Sequence, residues 1–327
     1  MKRREFITLV GGAAAWPLSA QAQQPALPVI GWLSPGDPAP TPNRSAFIAG
    51  LGEMGFIEGR NVTIDYSGLG ASLDRLPEVA ADMVRRRVAV IVTPGNFPAA
   101  RAAKAATSTI PIVYGGGSDP VENGLVASLN RPGGNMTGFV EVNTELAAKR
   151  LGLLHDLAPR VARLALFVDP SASPDLSTAI AALQAGASPL GVQIETIMAP
   201  GTRDGIAAAF ASLSQRRIEG LLLSPSGYYF RLRMQIAALA AHHALPAIYW
   251  DRAFVEIGGL MSYGSSVANM FRQVGIYAGR ILKGEKPADM PMQQATKFEL
   301  IINLTAAQIL GIAVPATLLA IADEVIE

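Results

Sequence analysis

The chain has 327 residues, half of them apolar, with 16% charged residues, a formal net charge of +1 and no cysteine. That length fills two ordinary cores. The charge balance speaks against a nucleic-acid partner, and without cysteine there is no disulfide framework, thiolate nucleophile or cysteine metal site.

The first 22 residues, MKRREFITLVGGAAAWPLSAQA, read as a cleavable export signal. Lys2, Arg3 and Arg4 precede a short apolar stretch, Phe6 to Leu18, and Ala20-Gln21-Ala22 has the small-x-small form that signal peptidase cuts. The order Arg3-Arg4-Glu5-Phe6-Ile7 resembles a twin-arginine signal. Gly11, Gly12 and Pro17 sit in a stretch too short to span a bilayer, which argues against an anchor. Cleavage after Ala22 leaves 327 − 22 = 305 residues, expected as a soluble protein in the periplasm.

From Pro28 onward short apolar runs alternate with helical patterns. PVIGWLS, NVTIDYS, VAVIVTPG, IPIVYGGG and MTGFV read as strands, with helices over Arg44 to Met54, Leu73 to Arg87 and Phe97 to Thr107. The alternation restarts after Asn143. Helices are expected over Thr144 to Leu157, from about Pro174 to Ala187, over Asp204 to Arg216 and over Tyr228 to His243. They alternate with the strands RLALFVDPS, VQIETIM, IEGLLLSPSG, PAIYWD and GLMSYG. A helix from Val267 to Lys283 and the strand KFELIIN close the chain. Nearly continuous apolar strands between amphipathic helices predict parallel sheets covered on both faces. Right-handed crossovers make each half doubly wound. The fold class is therefore α/β, with two parallel-sheet lobes joined by a hinge.

Ligands of such sheets sit beyond the carboxyl ends of the strands. Here those ends read Ser34-Pro35-Gly36-Asp37, Thr93-Pro94-Gly95-Asn96 and Gly115-Gly116-Gly117-Ser118-Asp119-Pro120. In the second half they read Asp169-Pro170-Ser171, Ser224-Pro225-Ser226-Gly227 and Trp250-Asp251. Small residues admit a ligand to the N–H groups of the following helix, whose dipole favours an anion. Asp119, Asp169 or Asp251 would complement an ammonium. Singly, each of these residues is an ordinary helix cap; six such ends in two facing lobes predict a cleft, with Gly115 to Gly117 opening one wall. The three histidines, His155, His242 and His243, fall within or at the end of helices, and no H-E-x-x-H, G-x-S-x-G or P-loop is present. No cofactor, metal site or catalytic set is expected. Phe97, Tyr228, Tyr229, Tyr249, Trp250 and Tyr263 lie near strand ends, where they either stack on a flat ligand or pack the core and rim.

GFIEGRNVTIDY, IPIVYGGGSDPVENGLVASLNRPGGNMTGF, ILKGEKPADMP and NLTAAQILGIAVP resemble the periplasmic substrate-binding proteins of ABC importers, in the group linked to tryptophan or tyrosine uptake. The likeness covers essentially all of the mature chain, and the block from Asp119-Pro120 to Arg131-Pro132-Gly133-Gly134-Asn135-x-Thr137-Gly138 carries most of it. It implies a type I periplasmic-binding fold, with lobe one made of residues 23–141 and 262–290 and lobe two of 142–261 and 291–327. It also implies a small, carboxylate-bearing ligand for which an aromatic side chain is one option, an ABC permease in the inner membrane as partner, and a monomeric, non-enzymatic protein. Carried over by position, Ser34, Thr93, Asn96, Gly115, Ser118 and Asp119 would meet the ligand from lobe one. Asn143, Asp169, Ser224, Ser226 and Asp251 would meet it from the hinge and lobe two. Gly115 to Gly117, where relatives carry bulkier residues, predict a wider pocket. A ligand-sensing domain for a membrane receptor and an exported α/β enzyme are the alternatives the same fold allows.

Overall fold

The computed structural model describes residues 27–34, 41–141, 144–170 and 177–327. The expected signal segment, Asn143, and the loop residues Pro35 to Asp37 and Ser171 lie outside these residues. In chain order the first half holds β1 (Val29–Trp32), α1 (Pro42–Glu53), β2 (Thr63–Asp65), α2 (Leu76–Arg85), β3 (Val90–Pro94), α3 (Phe97–Ala106), β4 (Ile112–Gly116) and β5 (Met136–Val140). The second holds α4 (Thr144–Leu157), β6 (Arg163–Val168), α5 (Ser177–Ala187), β7 (Gln193–Met198), α6 (Arg203–Leu213), β8 (Gly220–Leu223), α7 (Gly227–Arg231), α8 (Arg233–His242), β9 (Ala247–Tyr249) and β10 (Met261–Gly264). The chain ends with α9 (Val267–Leu282), β11 (Gln293–Gln294), β12 (Glu299–Asn303), α10 (Leu304–Ile309), α11 (Ala316–Ile321) and β13 (Glu324–Ile326).

Two sheets result. The first runs β11-β5-β4-β3-β1-β2, with every pairing parallel. The second runs β13-β12-β10-β9-β8-β6-β7, parallel except where β10 meets β12. The strand sequences explain the choice of sheet type. β3, β4 and β5 are buried at every position, as strands covered on both faces must be. In α2, Leu76, Ala80 and Met83 are the buried residues, a stripe at helical spacing that turns one face to the sheet.

The chain crosses between the sheets three times. The first crossing follows Glu141. The second spans Ser265 and Ser266, because β10 pairs with β9 and β12 in the second sheet while α9 packs on the first. The third comes after Gln294, because β11 pairs with β5. Expectation had put Ser262 to Gly264 in lobe one and Pro291 to Gln294 in lobe two; the pairings put each in the other sheet. Two hydrogen bonds hold Met290 and Pro291, at the start of this segment, to the first sheet's layer: Thr137 Oγ1 donates to Met290 O at 2.7 Å and Tyr277 Oη to Pro291 O at 2.7 Å.

α9 is bound to the first lobe by backbone contact with α1. A Cβ at Gly50 would lie 2.0 Å from Arg272 O, and one at Gly275 would lie 2.1 Å from Phe47 O, so both helices need glycine where they cross. The expected helix from Tyr228 to His243 is two helices, broken at Leu232, whose φ of −93° and ψ of 11° leave the α-helical region.

Candidate functional site

The carboxyl ends of both sheets face a common cleft of about 1240 Å³, above the usual upper end of roughly 1,000 Å³ for a small-molecule pocket. Strand order reverses direction between β1 and β3 in one sheet and between β6 and β8 in the other. Doubly wound folds open their ligand crevice at such points. On the first side Ser34 Oγ donates to Pro94 O at 2.9 Å, tying the ends of β1 and β3 together. Asn96 caps α3 by accepting from Ala99 N at 2.8 Å. Asp119 Oδ1 accepts from Val121 N at 2.7 Å and from Glu122 N at 3.1 Å, which fixes the turn after β4.

On the second side Ser226 caps α7, accepting from Tyr228 N at 3.1 Å, while its hydroxyl donates to Asp169 Oδ2 at 2.6 Å. Asp251 uses both carboxylate oxygens: Oδ1 accepts from Ala253 N at 2.8 Å and Oδ2 from Val267 N at 3.2 Å. The second bond joins lobe two to the first turn of α9. Burial raises the Asp251 carboxyl above the ordinary carboxylate range, against the pull of those two donors. At the rim the lobes touch: a Cβ at Gly227 of lobe two would lie 3.0 Å from the Gly95 carbonyl oxygen of lobe one.

Of the expected residues, Ser34, Asn96, Ser118, Asp119, Ser224, Ser226 and Asp251 border the cleft. Three do not. Thr93 is fully buried, its hydroxyl turned to Val113 O of the neighbouring strand. Asp169 is fully buried beneath Ser226. Gly115 faces α9, and a Cβ there would lie 2.6 Å from Met270 Sδ and from Val274 Cγ2. The glycine run is therefore only partly a cleft wall: Gly116 and Gly117 border the space, but a Cβ at Gly116 would meet Tyr114 Oη at 2.6 Å. That hydroxyl donates to Ser118 O at 3.1 Å and accepts from Ser118 N at 3.3 Å, holding the loop down. Fully buried, the Tyr114 hydroxyl is driven well above the ordinary phenol range.

Two charged residues that the strand-end pattern passes over sit on the cleft floor. Glu141 follows β5 and is 7% exposed; Ser265 Oγ donates to its Oε1 at 2.8 Å, bridging the first and second crossings. Arg150, 2% exposed in α4, donates from Nε to Tyr263 O at 2.8 Å. Burial is the main cause of both shifts: the Glu141 carboxyl is pushed up to about 7 and the Arg150 guanidinium down to about 10, each opposed by the other's charge. A signal for Arg150 exists in the sequence, because it stands four residues from both Leu146 and Leu154 on the buried stripe of α4. A charge in a core register calls for a partner or a task.

Among the aromatic residues, Tyr229 and Tyr249 are sealed in the second lobe's core and Tyr263 packs near Phe298. Phe97, Tyr228 and Trp250 border the cleft. No group of three or more His, Asp or Glu able to hold a metal occurs among the described residues, nor is any helix among them long and apolar enough to cross a membrane.

Two doubly wound lobes around a common cleft form the type I periplasmic-binding architecture, which LacI-type regulators share. The chain belongs to the family of ABC transporter substrate binding proteins, whose pattern matches residues 36–326. It is similar to a tyrosine-binding protein of Clostridioides difficile (strain R20291), at 25% identity over 80% of this chain and 74% of that one. In structure it is similar to a conserved domain protein from Vibrio cholerae, with a TM-score of 0.82, 24% identity, and 91% and 99% of the two chains covered. It is likewise similar to an ABC domain from Streptococcus pneumoniae in complex with L-Trp, with a TM-score of 0.80, 24% identity, and 92% and 100% covered. The family is one of non-enzymatic binding proteins that serve ABC transporters on the extracytoplasmic side of the membrane.

Proposed function

We propose that this protein captures a small, carboxylate-bearing solute, an aromatic amino acid or a related acid, between its lobes and delivers it to an ABC permease. The observation that carries the reading is the second wall of the cleft. Arg203, Arg231 and Arg233 border it, and among the described residues none of the three takes part in an ion pair. Cations left without a carboxylate partner, beside the capped start of α7, favour an anionic group on the ligand. Phe97, Tyr228 and Trp250 supply apolar faces for an aromatic side chain. The named ligands of two relatives, tyrosine in one and L-Trp in the other, agree with that chemistry.

Within the lining, Ser34, Asn96, Ser118, Asp119, Ser224, Ser226 and Asp251 are the proposed ligand contacts, with Asn143 retained from the sequence. Delivery from the periplasm follows from the Lys2-Arg3-Arg4 export signal. The test is a thermal-shift screen of the purified mature protein against aromatic amino acids, aromatic acids, aliphatic amino acids and sugars. A ligand at a hundred times its Kd adds about 2.7 kcal/mol of stability. Stabilisation by aromatic amino acids or acids is the expected outcome. Stabilisation by sugars alone refutes the reading.

A further inference from the structure

The cleft does not stop at the strand ends of lobe two. Six aliphatic side chains that border it belong to one core cluster, the layer between the second sheet and α4 and α5. They are Ala147 on α4, Leu166 and Val168 on β6, Ile180 and Leu183 on α5, and Leu222 on β8. Alternate strand residues share a face; accordingly Ala165, Phe167 and Leu223 pack on the other side, with α6 to α8. Leu166 and Leu222 stand abreast in register, about 7 Å below Val168 and Ser224 at the strand ends. A close-packed interior has few voids larger than a water molecule. Core residues that border open space therefore mark a chamber, and an apolar chamber takes hydrocarbon rather than water.

Ser224 stands at the mouth of this chamber. Its N–H extends the ladder by donating to Phe167 O at 2.9 Å, so its side chain falls on the face of Leu222. Its Oγ is buried and has no hydrogen-bond partner among the described residues. A buried hydroxyl left unpaired is costly, and a polar linking group at that point offsets the cost. Arg203, Arg231 and Arg233 belong to α6, α7 and α8, which cover the opposite face of the same sheet. A solute that uses both the arginines and the chamber must cross the strand ends, past Ser224.

We propose that the chamber is a second subsite for a saturated hydrocarbon arm and that the solute is an N-acyl amino acid. Its carboxylate meets the arginine wall, its amide meets Ser224, and its acyl chain enters the chamber. A depth of about 7 Å takes roughly five or six carbons joined by bonds of about 1.5 Å. This rests on the carboxylate-ligand reading above and narrows it to a class larger than a free amino acid. The size of the cleft agrees: it holds about 1240 Å³ although the lobes already touch at the Gly95–Gly227 rim.

The experiment is isothermal titration of the mature protein with the N-acetyl, N-butanoyl, N-hexanoyl and N-decanoyl derivatives of L-tyrosine and L-tryptophan, and with both free amino acids. The acetyl compounds share the amide and the charge of the longer ones, so the series isolates chain length. A buried methylene is worth about fourfold in affinity. In at least one series the hexanoyl compound is expected to bind tenfold or more tighter than the acetyl, and the decanoyl no tighter than the hexanoyl, because the chamber ends. Ala147→Phe fills the chamber from α4 and is expected to cut the hexanoyl gain below threefold, while the acetyl compound, whose chain stops at the mouth, keeps its affinity within threefold. Ile180→Phe fills it from α5 and is expected to act alike, so the result does not hang on the folding of one variant. Ser224→Ala is expected to weaken the hexanoyl compound threefold or more. Equal wild-type affinity along the series, a hexanoyl gain that survives both Phe variants, or hexanoyl binding untouched in Ser224→Ala overturns the proposal and leaves the carboxylate-ligand reading standing. If neither the acyl compounds nor the free amino acids bind the wild type, both fall.

Discussion

The touch between Gly95 and Gly227 permits a direct test of lobe closure. Carbon–oxygen contacts are ordinary from 3.4 Å, and a Cβ at Gly227 would lie 3.0 Å from Gly95 O. Gly227→Ala therefore asks the rim to widen by only 3.4 − 3.0 = 0.4 Å, which a hinge absorbs. Gly227→Leu adds further carbons at bond lengths of about 1.5 Å, so the rim must stand open by ångströms or the side chain must crowd the wall. Overpacking of that kind costs about 1–3 kcal/mol, but only when the cleft is shut, since an open hinge relieves it. The penalty therefore appears in binding as a loss of about 5- to 150-fold at 1.4 kcal/mol per decade, with the unliganded melting temperature unchanged. Titration gives the affinity, and small-angle scattering at saturating ligand gives the shape. The liganded Leu variant should keep a larger radius of gyration than the liganded wild type. Wild-type affinity in Gly227→Leu, or identical liganded scattering, refutes the claim that this contact belongs to the closed state.

Other expectations follow from the same packing. Gly116→Val drives a side chain into the Tyr114 hydroxyl and should lower thermal stability and affinity together; adding Tyr114→Phe removes the clashing oxygen and should recover part of the stability, a coupling that a double-mutant cycle measures. The Glu141 carboxyl is raised in the folded state from 4.5 to about 7, so its contribution is fully present below pH 4.5 and is lost as pH rises through about 7. The shift of 7 − 4.5 = 2.5 corresponds to about 3 kcal/mol at most. Glu141→Gln should accordingly melt higher than the unliganded wild type at pH 8 and nearly coincide with it at pH 4.5; a variant less stable at both ends contradicts this. Replacing Arg3 and Arg4 by lysine should hold the protein in the cytoplasm, which fractionation reads, whereas unchanged periplasmic yield points to the general secretory route.

The α/β alternation was readable because buried parallel strands such as VIVTP and IVYGG carry almost no polar residues, and helices such as Leu76–Arg85 carry their stripe openly. Less of the cleft could be read. A strand-end residue is visible in sequence, but which way its side chain turns is decided by the register and by the layer packed against it. Thr93 and Gly115 fall on the wrong side for that reason, one against β4 and the other against α9. Asp169 looks like a free carboxylate until Ser226, 57 residues later, is placed above it. Glu141 and Arg150 were missed because a strand-end search favours small residues, whereas these are long side chains reaching the floor from the hinge and from mid-helix. The break at Leu232 had no signal, since neither glycine nor proline marks it.

The late return of α9 sets a timetable for folding. Met270, Val274, Tyr277 and Ala278 belong to the same cluster as Ile30, Trp32, Val92 and Val113, so strands made first wait for a helix made after five strands of the second sheet, β6 to β10. A nascent chain that has reached only Val140 holds five strands of the first sheet with one face uncovered. The second lobe, apart from its last two strands, has its own partners at hand before the first lobe is complete. Domains emerging from synthesis ordinarily fold in order from the N-terminus, and contacts of long sequence separation form slowly. In this chain the lobe begun first is the one that must be kept from associating with other molecules until residue 282 is available.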